Sequence, residues 1–171
     1  MRPLKISEIA AQRTGVTKLA NERYPGPVSA KAAKVKSAFL CHSHKDRHLV
    51  EKLLALFAAK GIDLYVDWKD HEMPAQPNRQ TAERIQKKIE ELDLFLYLAT
   101  SNSSTSKWCP WEIGYGDKAK GKSRILILPI EEGTLVFGQE YLLLYRSIQV
   151  DNLNRLVEVD PDTKLETPWK P

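Results

Sequence analysis

Glu112 stands two residues after Pro110, in the run Ser106-Lys-Trp-Cys-Pro-Trp-Glu-Ile-Gly. Proline suits the first turn of a helix, because its φ is already helical and its missing N–H would have no partner there. Glu112 is therefore expected near a helix N-terminus, where the dipole favours an anion. An ionised carboxylate in that place works as an electrostatic stabiliser or base rather than as an acid. The same position also suits a glutamate that only stabilises the helix start. Asp67 closes an apolar run at the head of a loop with two prolines, and fits either a ribose hydroxyl or a turn. Tyr65 and Trp68 flank it with aromatic surface able to stack on a base or pyridine ring, or to pack on the core. Trp108 and Trp111 are three apart, so they share a helix face if the helix reaches back that far.

His42 and His44 alternate along an extended segment. An H-x-H pair makes a metal centre only with further ligands, and no Asp, Glu or Cys set is spaced to complete one, so no metal is expected. Cys41 and Cys109 can approach each other across a crevice, yet each reads more simply as a small buried residue. The sequence has neither a GxxxxGK[ST] loop nor a GxGxxG turn, which argues against a P-loop ATPase and a Rossmann dehydrogenase.

The elements that must position these residues follow from apolar periodicity. Strands are expected at 35–41, 62–66, 93–99, 124–130 and 146–150, with helices at 46–60, 79–92 and within 104–118. Gly61 ends the first of these helices. Strands alternating with helices imply an α/β fold, a flavodoxin-like doubly wound parallel five-stranded sheet of order 2-1-3-4-5 with helices on both faces. Ligands bind such sheets at the carboxyl ends of the strands, here between the first and third. The loops leaving those two strands are 41–46 and 100–112, both rich in hydroxyl, imidazole or carboxylate groups.

Three regions are expected: a basic N-terminal extension at 1–34, the α/β domain at 35–150 and a polar C-terminal tail at 151–171. The net charge is +4, but residues 1–36 hold eight Lys and Arg against two Glu, leaving the remainder net negative. A core of that sign disfavours nucleic acid as a partner. Residues 7–12 and 17–23 suit short helices, and the first stretch faintly resembles half of a helix-turn-helix that Tyr24-Pro-Gly-Pro then interrupts. Packing on the core or on a partner chain is the plainer reading. No apolar run approaches the roughly 20 residues of a membrane span, and the chain starts without a secretory h-region. Two cysteines are too few for a disulfide scaffold. A cytoplasmic protein is expected.

Taken together, these segments resemble the Toll/interleukin receptor (TIR) domain of the bacterial type. Ser37-Ala-Phe-Leu-Cys-His-Ser-His-Lys-Asp resembles its opening box, Gly61-Ile-Asp-Leu-Tyr-Val-Asp its second strand, and Ser106-Lys-Trp-Cys-Pro-Trp-Glu its S-x-W-C-x-x-E motif. In the loop after the second strand, the run Met73-Pro-Ala-Gln-Pro replaces the usual glycine. The resemblance implies cleavage or cyclisation of NAD+ at the nicotinamide–ribose bond, with Glu112 as the catalytic glutamate and NAD+ as substrate rather than cofactor. On that reading Ser43 and Lys45 hold the pyrophosphate, and the loop of His42 with Asp67, Tyr65, Trp68 and Trp108 completes the substrate site. Stand-alone members of the family serve anti-phage defence of the Thoeris type, passing a nucleotide signal to a separate effector and assembling through TIR–TIR contacts. Two alternatives stay open: a non-enzymatic TIR–TIR scaffold, and a nucleoside deoxyribosyltransferase-like enzyme.

Overall fold

The computed structural model describes residues 1–5, 9, 35–137 and 140–170. The helices expected at 7–12 and 17–23 lie almost wholly outside the described residues. The described strands are β1 (Leu4–Lys5), β2 (Lys36–Cys41), β3 (Ile62–Tyr65), β4 (Leu94–Ala99), β5 (Ile125–Glu132), β6 (Leu135–Val136), β7 (Arg146–Val150), β8 (Leu156–Val159) and β9 (Glu166–Pro168). The helices are α1 (Arg47–Ala58), α2 (Arg79–Glu91), α3 (Ser101–Ser104) and α4 (Cys109–Lys120).

Continuous apolar runs become buried strands because both faces of the sheet are covered, and the period of two then sorts each run between the faces. On one face Ala38, Leu40, Leu64, Leu96, Leu98, Leu126 and Leu128 meet Leu49, Val50, Leu53 and Phe57 of α1. On the other, Phe39, Cys41, Tyr65, Phe95, Tyr97 and Ile127 meet Ile85 and Ile89 of α2 and Cys109 and Ile113 of α4. The sheet path is β3-β2-β4-β5-β7-β8-β9. The pairs from β3 through to β7 are parallel.

The sheet is larger than five strands. Residues 151–171, which read as a polar tail, supply β8 and β9, both antiparallel. Trp169 follows them into the core and meets Phe57 edge-on at 5.3 Å. Its polar flanks hid this: antiparallel strands such as β8 bury one face only and so lack a long apolar run. At the other end of the chain, β1 pairs with β5 in parallel, and Arg2 bridges Val150.

Capping fixes the helix starts. Asn78 and Thr81 form a reciprocal capping box at α2, with both bonds at 3.1 Å. The helix expected within 104–118 is α4, and the short α3 precedes it. Thr100 and Ser103 cap the short α3. The Ser106 hydroxyl then accepts from the amides of Trp108 and Cys109, so α4 starts afresh with Pro110 in its first turn. Gly61 lies beyond the end of α1 with φ of +78°, a turn that a Cβ would strain.

Candidate active site

Cys41, at the end of β2, has the strand parity that faces α4, and α4 brings Cys109 and Glu112 over it. The Cys41 thiol donates to the Cys109 carbonyl at 3.9 Å, and it also hydrogen-bonds the Glu112 carboxyl. Both cysteines are free and fully buried. Glu112 is in the first turn of α4, as expected, but only 6% exposed. Its expected ionisation is corrected accordingly. Burial, followed by the charge of Cys109, pushes its pKa up to about 8, against the Cys41 hydrogen bond. Asp67 adds same-sign charge. A helix terminus offers an anion about 0.3–1 kcal/mol, whereas removing a carboxylate from water costs several. Desolvation wins, and at neutral pH the resting group is mostly protonated. Cys109 moves the other way, its thiol made more acidic first by the hydrogen bond from Cys41.

Two loops are tied across the switch point by a residue that reads in the sequence only as a helix start. Asp46 is buried and accepts from the Thr100 hydroxyl at 2.6 Å and the Asn102 amide at 2.5 Å. Its side chain is thereby withdrawn from capping α1. Asp46 could have been noticed as the one acid in a loop facing a hydroxyl-rich partner loop. Ser43 caps the 3-10 turn at His44–Asp46 by accepting from the Lys45 amide at 3.4 Å, and Lys45 itself points to solvent.

His42 does not present its ring to a ligand. Its Nε2 accepts from the Trp68 indole at 3.0 Å, so Nδ1 carries the proton and donates to the Leu40 carbonyl at 2.9 Å. Burial holds its pKa below the ordinary histidine value, against the pull of Asp67. His44 is exposed and 3.4 Å from Asp67. Among the described residues no cluster of three or more His, Cys, Asp or Glu could hold a metal ion.

Around the second loop the aromatics divide. Tyr65 is a core residue, 1% exposed and stacked on Phe39 at 5.6 Å, so stacking on a ligand is corrected to packing. Its hydroxyl donates to Asp70 at 2.7 Å, and Arg84 grips the same carboxylate with two bonds, fastening the loop to α2. Burial alone would raise the Asp70 pKa, but these hydrogen bonds prevail and lower it. Trp68 is half-buried, with the Arg47 guanidinium 4.3 Å above its ring. Asp67 accepts from the Trp68 amide at 2.8 Å, a turn contact, while its charge reaches Glu112. Trp108 precedes α4, crosses Trp111 edge-on at 5.5 Å, and packs on the face that holds Cys41. Thus Asp67, Cys41, Cys109 and Glu112 form one electrostatically coupled cluster. Tyr65 and His42 support it from within, and Lys45 stays at its rim.

Residues 38–157 match a family model described as TIR domain. A Bacillus cereus (strain MSX-D12) protein named "Probable 3' cyclic ADP-D-ribose synthase ThsB'" is 32% identical over 117 residues, covering 66% of this chain and 60% of that protein. A Cytobacillus dafuensis protein named "Putative cyclic ADP-D-ribose synthase TIR2" is 25% identical over 118 residues, covering 60% of this chain and 31% of that one. The chain thus spans less than two thirds of the length of these relatives. The family model covers most of the chain, over the strands, helices and loops that carry Glu112, and the chain belongs to the TIR domain family.

Proposed function

We propose that the protein cleaves NAD+ at the nicotinamide–ribose bond and closes or hydrolyses the ADP-ribosyl group, yielding an ADP-ribose-derived signal in anti-phage defence. The observation that carries this reading is the buried carboxyl of Glu112, at the carboxyl ends of the strands, in a chain similar to proteins named for cyclic ADP-D-ribose synthesis. A cation close to a buried carboxyl favours its ionised form. The pyridinium of NAD+ therefore lowers the Glu112 pKa as it binds, and the proton passes to solvent water. The C1′–N bond then breaks with its electron pair going to the ring nitrogen, and nicotinamide leaves neutral without needing an acid. The Glu112 carboxylate stabilises the oxocarbenium ion left behind. Attack by water, with loss of a proton, gives ADP-ribose; attack by an adenine nitrogen gives a cyclic product.

NAD+ is the substrate, and no cofactor is required. Lys45 and Ser43 serve the pyrophosphate, and Asp67 the ribose. Trp68 and Trp108 wall the ring. Assembly through TIR–TIR contacts completes the active form, and the nucleotide signal acts on a separate effector in the cytoplasm. Among the described residues no helix is long and apolar enough to cross a membrane. The test is nicotinamide release from NAD+ by concentrated purified protein beside Glu112→Ala. Release by the wild type alone supports the reading, and equal release by both rejects the role of Glu112.

A further inference from the structure

Asp46 is a buried acid that the proposed reaction does not use, 3% exposed at the start of α1. Aspartate in that place ordinarily caps the helix, yet here its side chain makes no cap bond. Both oxygens are given to the opposite loop, one to the Thr100 hydroxyl at 2.6 Å and the other to the Asn102 amide at 2.5 Å. Burying an acid is unfavourable unless donors reach its oxygens, and these two neutral side chains supply them across the crevice.

What Asp46 joins is visible at each end. On its own side it closes the turn His44–Asp46: its amide donates to the Ser43 carbonyl at 2.9 Å, and the Ser43 hydroxyl accepts from the Lys45 amide at 3.4 Å. Lys45, one residue before the anchor, is exposed on this turn. On the far side Thr100 is fully buried at the end of β4, and its hydroxyl also accepts from the Ser103 amide at 3.1 Å. Ser101 gives its amide and hydroxyl to Glu132 of β5, at 3.2 and 2.7 Å. The Lys45 turn is thus braced to two central strands. The bracing segment continues through Ser106 into α4, which carries Glu112.

We propose that Asp46 is a positioning residue, which holds the Lys45 turn at a fixed separation from Glu112 so that Lys45 grips a diphosphate while the adjoining ribose lies at Glu112. The proposal rests on the NAD+ reading for its ligand. Ordering a loop on binding lowers affinity, and a turn fixed in advance avoids that loss. Asp46 acts through hydrogen bonds and touches no substrate, so its shape matters and its charge does not. Asp46→Asn keeps an acceptor for Thr100, and Asn102 can turn its amide to offer oxygen in place of nitrogen.

The test is ADP-ribose affinity by titration calorimetry, beside kcat and KM for nicotinamide release from NAD+. Asp46→Ala is expected to weaken ADP-ribose binding roughly tenfold, the scale of one or two hydrogen bonds, and to raise KM with kcat little changed. Asn102→Ala leaves the Thr100 bond in place and should weaken binding about threefold; it decides the matter if Asp46→Ala does not fold. Asp46→Asn should stay within about twofold of the wild type, since its hydrogen bonds are kept. A loss in Asp46→Asn as deep as in Asp46→Ala would overturn the proposal, because charge and not position would then be at work. Affinity unchanged in Asp46→Ala and Asn102→Ala, or no ADP-ribose binding by the wild type, would overturn it too. Weakened binding in the variants of a protein that releases no nicotinamide would leave the proposal standing and reject the reaction instead.

Discussion

The indole N–H of Trp68 donates to Nε2 of His42 at 3.0 Å, and this one bond fixes the histidine tautomer. With Nε2 as acceptor, Nδ1 must carry the proton to the Leu40 carbonyl. Protonating the ring would set two N–H groups against each other at the indole. Asp67, 3.7 Å from Nε2, partly compensates.

His42→Ala is expected to lower stability by about 1–3 kcal/mol, since it leaves the Trp68 N–H and the Leu40 carbonyl without a partner. The wild type has a matching pH dependence. The folded-state pKa of His42 is below the ordinary value of 6.5, so between the two values the unfolded chain binds more protons. The contribution is whole above pH 6.5 and is lost as pH falls from there toward the folded pKa. Urea unfolding followed by tryptophan fluorescence measures both effects. A His42→Ala curve that keeps the wild-type slope through this window would remove His42 as the cause.

Glu112 has the opposite sign. A carboxyl whose pKa rises from 4.5 to about 8 on folding binds more protons folded than unfolded. Stability is therefore lost as pH rises from 4.5 to 8. Glu112→Gln mimics the protonated form and is expected to be more stable than wild type by roughly 2–4 kcal/mol at pH 7. The gap should close below pH 4.5. Thermal unfolding of both proteins across this range decides the point, and a constant gap would contradict the burial argument.

On the proposed reaction, kcat/KM for NAD+ should rise with pH along a limb near 8, as the free enzyme's Glu112 ionises. The Cys41 hydrogen bond favours the anion, so Cys41→Ala should move that limb to higher pH and Cys41→Ser should largely restore it. A lower maximum with an unmoved limb would make Cys41 a packing residue only.

Two glycines of α4 should respond oppositely to alanine. A Cβ on Gly114 meets nothing within 4 Å, so Gly114→Ala should stabilise by about 0.5–1 kcal/mol through helix propensity. A Cβ on Gly116 would lie 3.0 Å from Cδ2 of the fully buried Phe95. Gly116→Ala should therefore cost about 1–3 kcal/mol and push α4 off β4. Chemical denaturation of the two variants gives the comparison directly.

Trp169→Ala should cost about 3–5 kcal/mol, as for other large core aromatics, because the side chain meets Phe57 and lies 9% exposed. A loss under 1 kcal/mol in equilibrium unfolding would show that β8 and β9 add little to the core.

Much of the fold was legible in the residues. The runs at 38–41, 94–99 and 125–130 are apolar at consecutive positions, which only strands covered on both faces require. Pro110 and Asn78 mark helix starts through backbone chemistry that depends on neighbours alone. The motif around Trp108 and Glu112 announced the family for the same reason: it is local in the chain. The β8–β9 extension was hidden because antiparallel strands buried on one face need no long apolar signature, and the short α3 because its four residues carry no apolar periodicity.

The sequence by itself determined which segments end at the carboxyl edge of the sheet, since strand and helix spans follow from apolar periodicity. The tertiary structure alone decided their chemical state. Glu112 reads as an anion from its place on α4, yet Cys41 of β2 and Cys109 of α4 pack against it and remove the water that an anion needs. Tyr65 reads as a surface for a ligand, yet Phe39 and Asp70 already occupy its ring and hydroxyl. His42 reads as part of the substrate loop, yet Trp68 and Leu40 take both its nitrogens. Spacing is a property of the chain, whereas desolvation and hydrogen-bond partners belong to the packed assembly, where residues far apart in sequence become each other's solvent.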